Sequence, residues 1–188
     1  GSLDTSFGRE RRVSGNVNGR ARAVAIQPDG HIVVAGDFNF GDGFSLDTGD
    51  ITIARFRPNG NLDPTFGADA TGQIARDLGG TNSATNIVLQ PDGKIVVSGT
   101  GRSDGTSDDQ TDVARFNADG SFDDSFGTGG KLKLQGELVG QGLARQPDGK
   151  LVLVGSVVQT IAPGSARFVL LRLNANGTPD NGFGTGGN

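Results

Sequence analysis

Two short motifs recur through this chain of 188 residues at a spacing of roughly sixty, and this repetition constrains the fold more than any other feature. The first motif is the turn sequence Q-P-D-G, which occurs at Gln27–Gly30, Gln90–Gly93 and Gln146–Gly149. The second, here named the junction motif, has the form L-D-x-[ST]-F-G and occurs at Leu3–Gly8, Leu62–Gly67 and Phe122–Gly127, with a degraded copy at Pro179–Gly184. A fixed period of this length indicates stacked units that bury their apolar faces against one another.

The motifs divide one repeat domain, residues 1–188, into three repeats and a remainder. The repeats span residues 3–61, 62–121 and 122–178, and a trailing partial junction motif occupies residues 179–188. The chain contains no methionine, so Gly1 is not a native start, and Gly1-Ser2 is either a tag scar or native sequence. We therefore expect both ends of the sequence to be cut.

Each repeat predicts four short strands. Two apolar runs flank each Q-P-D-G turn as a hairpin, a third strand follows a variable loop, and a weaker fourth follows the junction motif. In the second repeat the first three are Ile87–Leu89, Lys94–Val97 and Asp112–Phe116, and the fourth strand is clearest at Lys131–Leu134, after the next junction motif. The strand after the turn is apolar at consecutive positions, which predicts burial on both faces. We expect an all-β fold of three four-stranded, propeller-like blades, with a β-trefoil-like three-fold closure as the alternative.

The junction motif is expected to form a short turn of helix between units. Its aspartates Asp4, Asp63 and Asp123 would cap that turn through their carboxylates. Its phenylalanines would fill the gap between adjacent sheets; they are Phe7, Phe66, Phe126 and, in the degraded copy, Phe183.

Three arginines recur at equivalent places in the third strand of each repeat, Arg55, Arg115 and Arg172. A buried arginine needs a carboxylate partner, because an unpaired buried charge is costly. Two sets of aspartates could supply it: the turn set is Asp29, Asp92 and Asp148, and the junction set is Asp63, Asp123 and Asp180. We favour this structural pairing over a ring of cations that binds a ligand.

Together the motifs resemble a known family. The strings L-D-x-[ST]-F-G, Q-P-D-G-K-I-V-V-x-G and A-R-F-N-x-D-G-S are similar to the delta-60 repeat, and the third repeat departs from them most. That resemblance implies propeller-like tandem arrays in bacterial proteins that are exported or attached to the cell surface. It implies no catalytic residue.

Composition argues against an enzyme. The chain has no cysteine and one histidine, His31, which occupies the position of Lys94 and Lys150 in the other repeats and is expected at the surface. We expect no catalytic activity and no cofactor. The net charge of -4 argues against a nucleic-acid partner, and the short apolar runs argue against membrane insertion.

Acidic loops are the first candidates for partner contact, because loops on rigid scaffolds often carry function. The candidate residues are Asp42, Asp47, Asp50, Asp104, Asp108, Asp109 and Asp112. Oxygen-bearing side chains at Asn117, Asp119 and Asp123 resemble part of a calcium loop, but the bidentate glutamate is missing and a turn stabilised by aspartate is favoured.

These observations favour a structural or interaction module of a bacterial surface or secreted protein, which presents its loops to a protein or glycan. The alternative is a subunit that assembles with itself head to tail. Propellers usually have 4–8 blades, and three units leave two open edges, which aggregate unless they are covered. Two chains could close a ring, or many could form a filament.

Overall fold

Eleven β-strands and no helix make up the described part of the chain. The structure is a computed structural model, which describes residues 7–8, 19–38, 50–102, 109–134, 138–158 and 166–184. No helix in those ranges could span a membrane. The strands are β1 (Gly19–Ile26), β2 (Ile32–Phe38), β3 (Ile51–Phe56), β4 (Gln73–Arg76), β5 (Thr81–Leu89), β6 (Ile95–Arg102), β7 (Asp109–Phe116), β8 (Lys131–Leu134), β9 (Val139–Arg145), β10 (Leu151–Val158) and β11 (Ala166–Leu173).

The chain folds into three antiparallel sheets in which neighbours in sequence are neighbours in space. The fourth strands of sheets 1 and 2, Gln73–Arg76 and Lys131–Leu134, lie beyond the predicted repeat boundaries at residues 61/62 and 121/122. From here on, a repeat means one sheet together with the junction motif that follows its third strand. Sheet 1 has the order β1-β2-β3-β4, sheet 2 the order β5-β6-β7-β8, and sheet 3 the order β9-β10-β11. The all-β, propeller-like prediction is confirmed, and three separate meanders do not form the shared closure of a trefoil. Sheet 3 has three described strands rather than the four that were expected.

The core consists of two apolar layers, one on each side of sheet 2. The first lies between sheets 1 and 2 and includes Val33, Ile53, Ile95, Val97 and Phe116. The second lies between sheets 2 and 3 and includes Val96, Val113, Leu151, Leu153 and Leu173. Sheet 2 is therefore the middle layer of a stack.

This order explains which apolar strand is buried on both faces. In β6 the consecutive residues Ile95, Val96 and Val97 are all buried, because a sheet covers each side. In β10 Leu153 is buried while its neighbour Val154 is exposed. The predicted burial on both faces thus holds for the middle sheet, whereas the described residues leave one face of sheet 3 partly uncovered.

A glycine in the second strand of each sheet faces a backbone carbonyl of the first strand. The first strand bulges there, at Ala21/Ala23 in sheet 1 and at Ala84/Asn86 in sheet 2. A Cβ atom built on Gly99 would lie 1.8 Å from the Ser83 carbonyl oxygen, and one on Gly36 would lie 1.9 Å from that of Arg20. No side chain fits in this space, so the final glycine of Q-P-D-G-K-I-V-V-x-G is a steric requirement.

The junction motif forms a turn, so the predicted turn of helix is wrong. In the first repeat the Asp63 carboxylate accepts hydrogen bonds from the Thr65 backbone N–H at 3.1 Å and from its hydroxyl at 2.9 Å. Gly67 then has a φ of 84°, in the left-handed region, and helical hydrogen bonding cannot continue through it. The aspartate therefore stabilises a local turn.

Candidate functional site at the sheet junctions

Arg55 ties the turn of its own repeat to the next sheet. Its Nε donates to Asp63 Oδ2 at 2.7 Å, and one terminal nitrogen donates to Thr65 Oγ1 at 2.9 Å. The other terminal nitrogen donates to the Ala118 carbonyl in the second repeat at 2.6 Å. The guanidinium lies 5.0 Å from the centre of the Phe66 ring. One side chain therefore joins two sheets through both charge and stacking.

Arg115 repeats this arrangement between sheets 2 and 3. Its Nε donates to Asp123 Oδ2 at 2.6 Å, and its terminal nitrogens donate to Ser125 Oγ and to the Ala175 carbonyl of the third repeat. It lies 4.8 Å above the Phe126 ring. In both junctions the partner comes from the junction set of aspartates and not from the turn set.

Phe66 and Phe126 each pack against an Asx-Gly turn of the following repeat, and a turn of this kind is here named the receiving turn. The receiving turns are Asn59-Gly60, Asp119-Gly120 and Asn176-Gly177. Phe66 and Phe126 are fully buried, and a Cβ atom on Gly120 or Gly177 would lie about 3 Å from their rings. The backbone N–H of Gly67 donates to the Asp119 carbonyl at 2.8 Å, and that of Gly127 donates to the Asn176 carbonyl at 2.9 Å.

The third copy of this arrangement has no following sheet among the described residues. Arg172 Nε donates to Asp180 Oδ2 at 2.7 Å, and the guanidinium lies 4.4 Å from the Phe183 ring. Within the described ranges its terminal nitrogens make no hydrogen bond, and Gly182 stands where the other repeats have Thr65 and Ser125. Phe183 is half-buried, unlike its two counterparts. Among the described residues, this junction therefore has its arginine, aspartate and phenylalanine but no receiving turn.

A second basic side chain lies near each junction aspartate, and at this position His31 is half-buried where an exposed residue was expected. Lys94 Nζ lies 2.9 Å from Asp123 Oδ2, and Lys150 Nζ lies 2.8 Å from Asp180 Oδ2. His31 Nε2 lies 3.5 Å from Asp63 Oδ2 and is half-buried. The position was expected to face solvent because it accepts lysine, but a lysine there reaches the carboxylate with its charged end.

Hydrogen bonds and cations lower the pKa of all three junction aspartates. Burial alone would raise the pKa of Asp63 and Asp123, but hydrogen bonds from the following Thr or Ser and from the nearby cations outweigh it. For Asp180 the hydrogen bond from Lys150, with those from Gly182 and Arg172, lowers the pKa to about 2. The three carboxylates are therefore ionised in the folded protein at neutral pH.

These shifts predict acid unfolding. Because the folded-state pKa lies below the ordinary value of 3.8, the unfolded chain binds protons first as the pH falls. The stabilisation that the ionised junction aspartates provide is complete above about pH 4 and is lost as the pH falls towards 2. Urea midpoints measured between pH 7 and pH 2 should fall once the pH drops below about 4. Asp123→Asn should be less stable at pH 7 and show a weaker acid dependence, and an unchanged midpoint at pH 2.5 would contradict this assignment.

The outward face of sheet 3, here named the open face, is less covered than the same face of sheets 1 and 2. It comprises Val154, Phe168, Leu170, Arg172 and Phe183. Phe168 is 80% exposed, yet its counterpart Thr111 is fully buried and binds sheet 3 through Leu138 O and Gly140 N. Leu170 is 40% exposed, yet its counterpart Val113 is fully buried. The open face is thus a third copy of a surface that is covered in sheets 1 and 2.

The comparison with known proteins divides the chain into the same three units. A family model described as "Domain of unknown function (DUF5122) beta-propeller" matches residues 27–66, 90–126 and 146–183. The chain belongs to this family. Each matched segment begins at a Q-P-D-G turn and ends at a junction phenylalanine, so the unit of this propeller family contains the arginine, its aspartate and the ring. The match supports a propeller-like repeat and does not extend to the narrower delta-60 name. No curated protein matches the chain.

The acidic loop candidates are only partly described in this propeller chain. Asp42, Asp47, Asp104 and Asp108 lie outside the described residues. Asp50 is half-buried immediately before β3, and Asp109 is the first residue of β7, paired with Arg102. Asp112 was predicted both as the last residue of an acidic loop and as the first residue of a strand; it lies within β7, is 3% exposed and accepts hydrogen bonds from the Gln110 side chain. The loop is shorter than expected because β6 and β7 extend beyond their apolar residues.

Burial raises the pKa of Asp112, although the Gln110 hydrogen bond and the charge of Lys133 oppose the shift. The ionised carboxylate is therefore unfavourable in the folded state, and its cost is present at neutral pH. We expect Asp112→Asn to raise the melting temperature at pH 7 by a few degrees, and this gain should shrink as the pH approaches 4. A lower melting temperature at pH 7 would show that the carboxylate is needed where it lies.

The calcium candidates use their oxygens within the protein. Asp119 Oδ1 accepts from the Ser121 backbone and hydroxyl, and Asp123 Oδ2 binds Arg115 and Lys94. The Asn117 side-chain nitrogen donates to Ser121 Oγ and to the Phe122 carbonyl. In the described ranges no group of three or more His, Cys, Asp or Glu side chains could hold a metal ion.

Proposed function

We propose that the protein is a non-catalytic structural and interaction module, which joins repeat sheets of separate chains through its open face. The observation that carries this proposal is the exposure of Phe168, at 80%, at a position where Thr111 is buried and binds the next sheet. Contiguous apolar patches exposed on a soluble protein mark interaction sites. A sheet of the same repeat pattern matches this surface, because two such sheets already cover its counterparts.

The polar groups of the open face support the same partner. In the two complete junctions an arginine donates to a carbonyl of the next repeat, and a junction glycine donates to the receiving turn. Arg172 and Gly184 occupy those positions in the third repeat. A docked repeat would therefore bring both apolar cover and two hydrogen-bond acceptors.

The charged groups favour binding over catalysis. A general acid or base works best when its pKa lies near the operating pH. The pKa values of Asp63, Asp123 and Asp180 are instead shifted away from neutrality, and each carboxylate is engaged by an arginine of its own repeat. The resemblance to the delta-60 repeat supports the further proposal that the module belongs to a secreted or surface protein of bacteria. Presentation of loops to a protein or glycan depends mainly on residues outside the described ranges.

Light scattering behind a sizing column, over a series of protein concentrations, tests this function. The wild-type mass should rise above the 19.2 kDa of one chain as the concentration increases. The Phe168→Asp variant should keep the 19.2 kDa mass of one chain, because docking would bury the new carboxylate without a cation to pair with it. Phe168 is largely exposed, so this change should leave the melting temperature within a few degrees of wild type. Equal masses for the wild type and Phe168→Asp throughout the series would overturn the proposal.

A further inference from the structure

The outward face of sheet 1 has the features of a surface that receives another sheet. Val24 and Ile26 in β1 are 64% and 70% exposed. Their counterparts in sheet 2, Ile87 and Leu89, pack against the core between sheets 1 and 2. Sheet 1 therefore leaves uncovered the apolar positions that sheet 2 uses to receive its neighbour.

The receiving turn of sheet 1 is already bound by the first junction motif of the same chain. The backbone N–H of Gly8 donates to the Asn59 carbonyl at 3.0 Å. This bond matches those from Gly67 to Asp119 and from Gly127 to Asn176. Gly8 and Gly184 also share a left-handed φ, 60° and 55°, so both have the backbone geometry of a junction glycine.

The described residues thus contain four junction phenylalanines and three receiving turns. Phe7-Gly8 lies at Asn59-Gly60, Phe66-Gly67 at Asp119-Gly120 and Phe126-Gly127 at Asn176-Gly177. Phe183-Gly184 has no receiving turn in the described part of the chain. In a second copy, Asn59-Gly60 becomes available as a receiving turn only if Phe7-Gly8 of that copy dissociates from it.

We infer that the open face docks on sheet 1 of a second copy, and that Phe183-Gly184 replaces Phe7-Gly8 at Asn59 of that copy. This inference rests on the proposed function, for which it names the partner surface. It also names Phe7-Gly8 as the segment of the same chain that occupies this surface, here called the cap. Gly184 N–H would donate to the Asn59 carbonyl. A terminal nitrogen of Arg172 would donate to the carbonyl of Pro58, which stands where Ala118 and Ala175 stand in the other repeats.

The docking copy brings contacts that Phe7-Gly8 does not make. Among the described residues, Phe7-Gly8 makes one backbone hydrogen bond to Asn59. A docking copy adds the charged donor of Arg172 and the apolar side chains Phe168, Leu170 and Val154, which would cover Val24 and Ile26. The contact is heterologous, so it closes a ring or continues as a filament.

Two matched substitutions separate the cap from the docking residue. Proline has no backbone N–H and cannot adopt a left-handed φ. Gly8→Pro should release the cap, so self-association measured by light scattering should occur at a concentration about tenfold lower than in the wild type. Gly184→Pro makes the same chemical change at the docking residue and should weaken self-association by about tenfold or more. The melting temperature of each variant checks that it remains folded.

The outcomes distinguish this inference from the function on which it rests. Opposite shifts for Gly8→Pro and Gly184→Pro support replacement at Asn59. Self-association that Phe168→Asp abolishes but Gly8→Pro leaves unchanged, or weakens, overturns the cap and leaves the proposed function standing. If the wild type does not self-associate, the proposed function and this inference are both overturned.

Discussion

Replacing Arg115 by leucine is expected to destabilise the protein by about 3–5 kcal/mol, because it breaks a buried ion pair by removing one partner. Arg115 is 5% exposed and binds Asp123, Ser125 and the Ala175 carbonyl. Leucine could fill much of the space but would leave the carboxylate with Lys94 as its remaining cation. It would also remove the bond that joins the second repeat to the third.

The same substitution at Arg172 is the matched control. Arg172 also pairs with an aspartate and stacks on a phenylalanine, but its side chain is 21% exposed, against 7% for that of Arg115. It donates to no following repeat in the described ranges. We expect Arg172→Leu to cost about 1 kcal/mol or less. Urea unfolding at pH 7 measures both free energies. Equal costs would show that the bond to the next repeat contributes nothing.

Replacing Gly99 by alanine is expected to destabilise the protein by about 3 kcal/mol or more, although the change adds a single carbon atom. The new Cβ would lie 1.8 Å from the Ser83 carbonyl oxygen and 2.9 Å from the Ala84 Cα. Both neighbours are backbone atoms of β5, so no side-chain rotation relieves the overlap. The bulged strand would have to move within the middle sheet, where apolar layers cover both faces.

Gly182→Ala is the control for this prediction. It makes the same chemical change at an exposed position, where the nearest atom to the new Cβ is a carboxylate oxygen at 3.4 Å. We expect a change within about 0.5 kcal/mol, as for most surface substitutions. Thermal melts followed by circular dichroism would compare the two variants. A melting temperature for Gly99→Ala close to that of Gly182→Ala would show that the bulge is not a fixed feature of the sheet.

Local sequence patterns were sufficient to predict the strands and their grouping. Apolar runs on both sides of Q-P-D-G predict a hairpin whatever lies around it. The predicted strand Lys131–Leu134 has the observed bounds, and the predicted strand Asp112–Phe116 ends at the observed residue and begins three residues late. These features depend on residues close together in the chain, which is why one sequence reveals them.

The partner of each arginine could not be selected from the sequence, because the choice depends on where the chain returns. After the receiving turn, the Asp63 backbone N–H donates to the Arg55 carbonyl at 2.9 Å, and Asp123 and Asp180 make the same bond to Arg115 and Arg172. This bond places the junction aspartate beside the guanidinium. The predicted helical turn failed for a related reason, since the positive φ of Gly67 allows contact with the next repeat and ends any helix.

Burial of single polar residues was the least predictable feature. Asp112 follows a stretch rich in Asp, Ser, Thr and Gly, a composition typical of a loop, yet β7 begins before it. Strand pairing with β6 carries the aspartate into the interior next to Gln110. The exposure of Phe168 and Leu170 was equally hard to predict, because they belong to a strand pattern that is buried in the other sheets.

The segment from one Q-P-D-G turn to the next has a consequence for how such chains can change length. The stretch 27–89 contains one receiving turn, Asn59-Gly60, and one junction phenylalanine, Phe66, which is used by the sheet that follows. Whole segments cut at these turns could therefore be duplicated or deleted, and each remaining junction phenylalanine would still pack against the glycine of a receiving turn. Gene duplication could lengthen or shorten the array in single steps without redesigning any contact between neighbours.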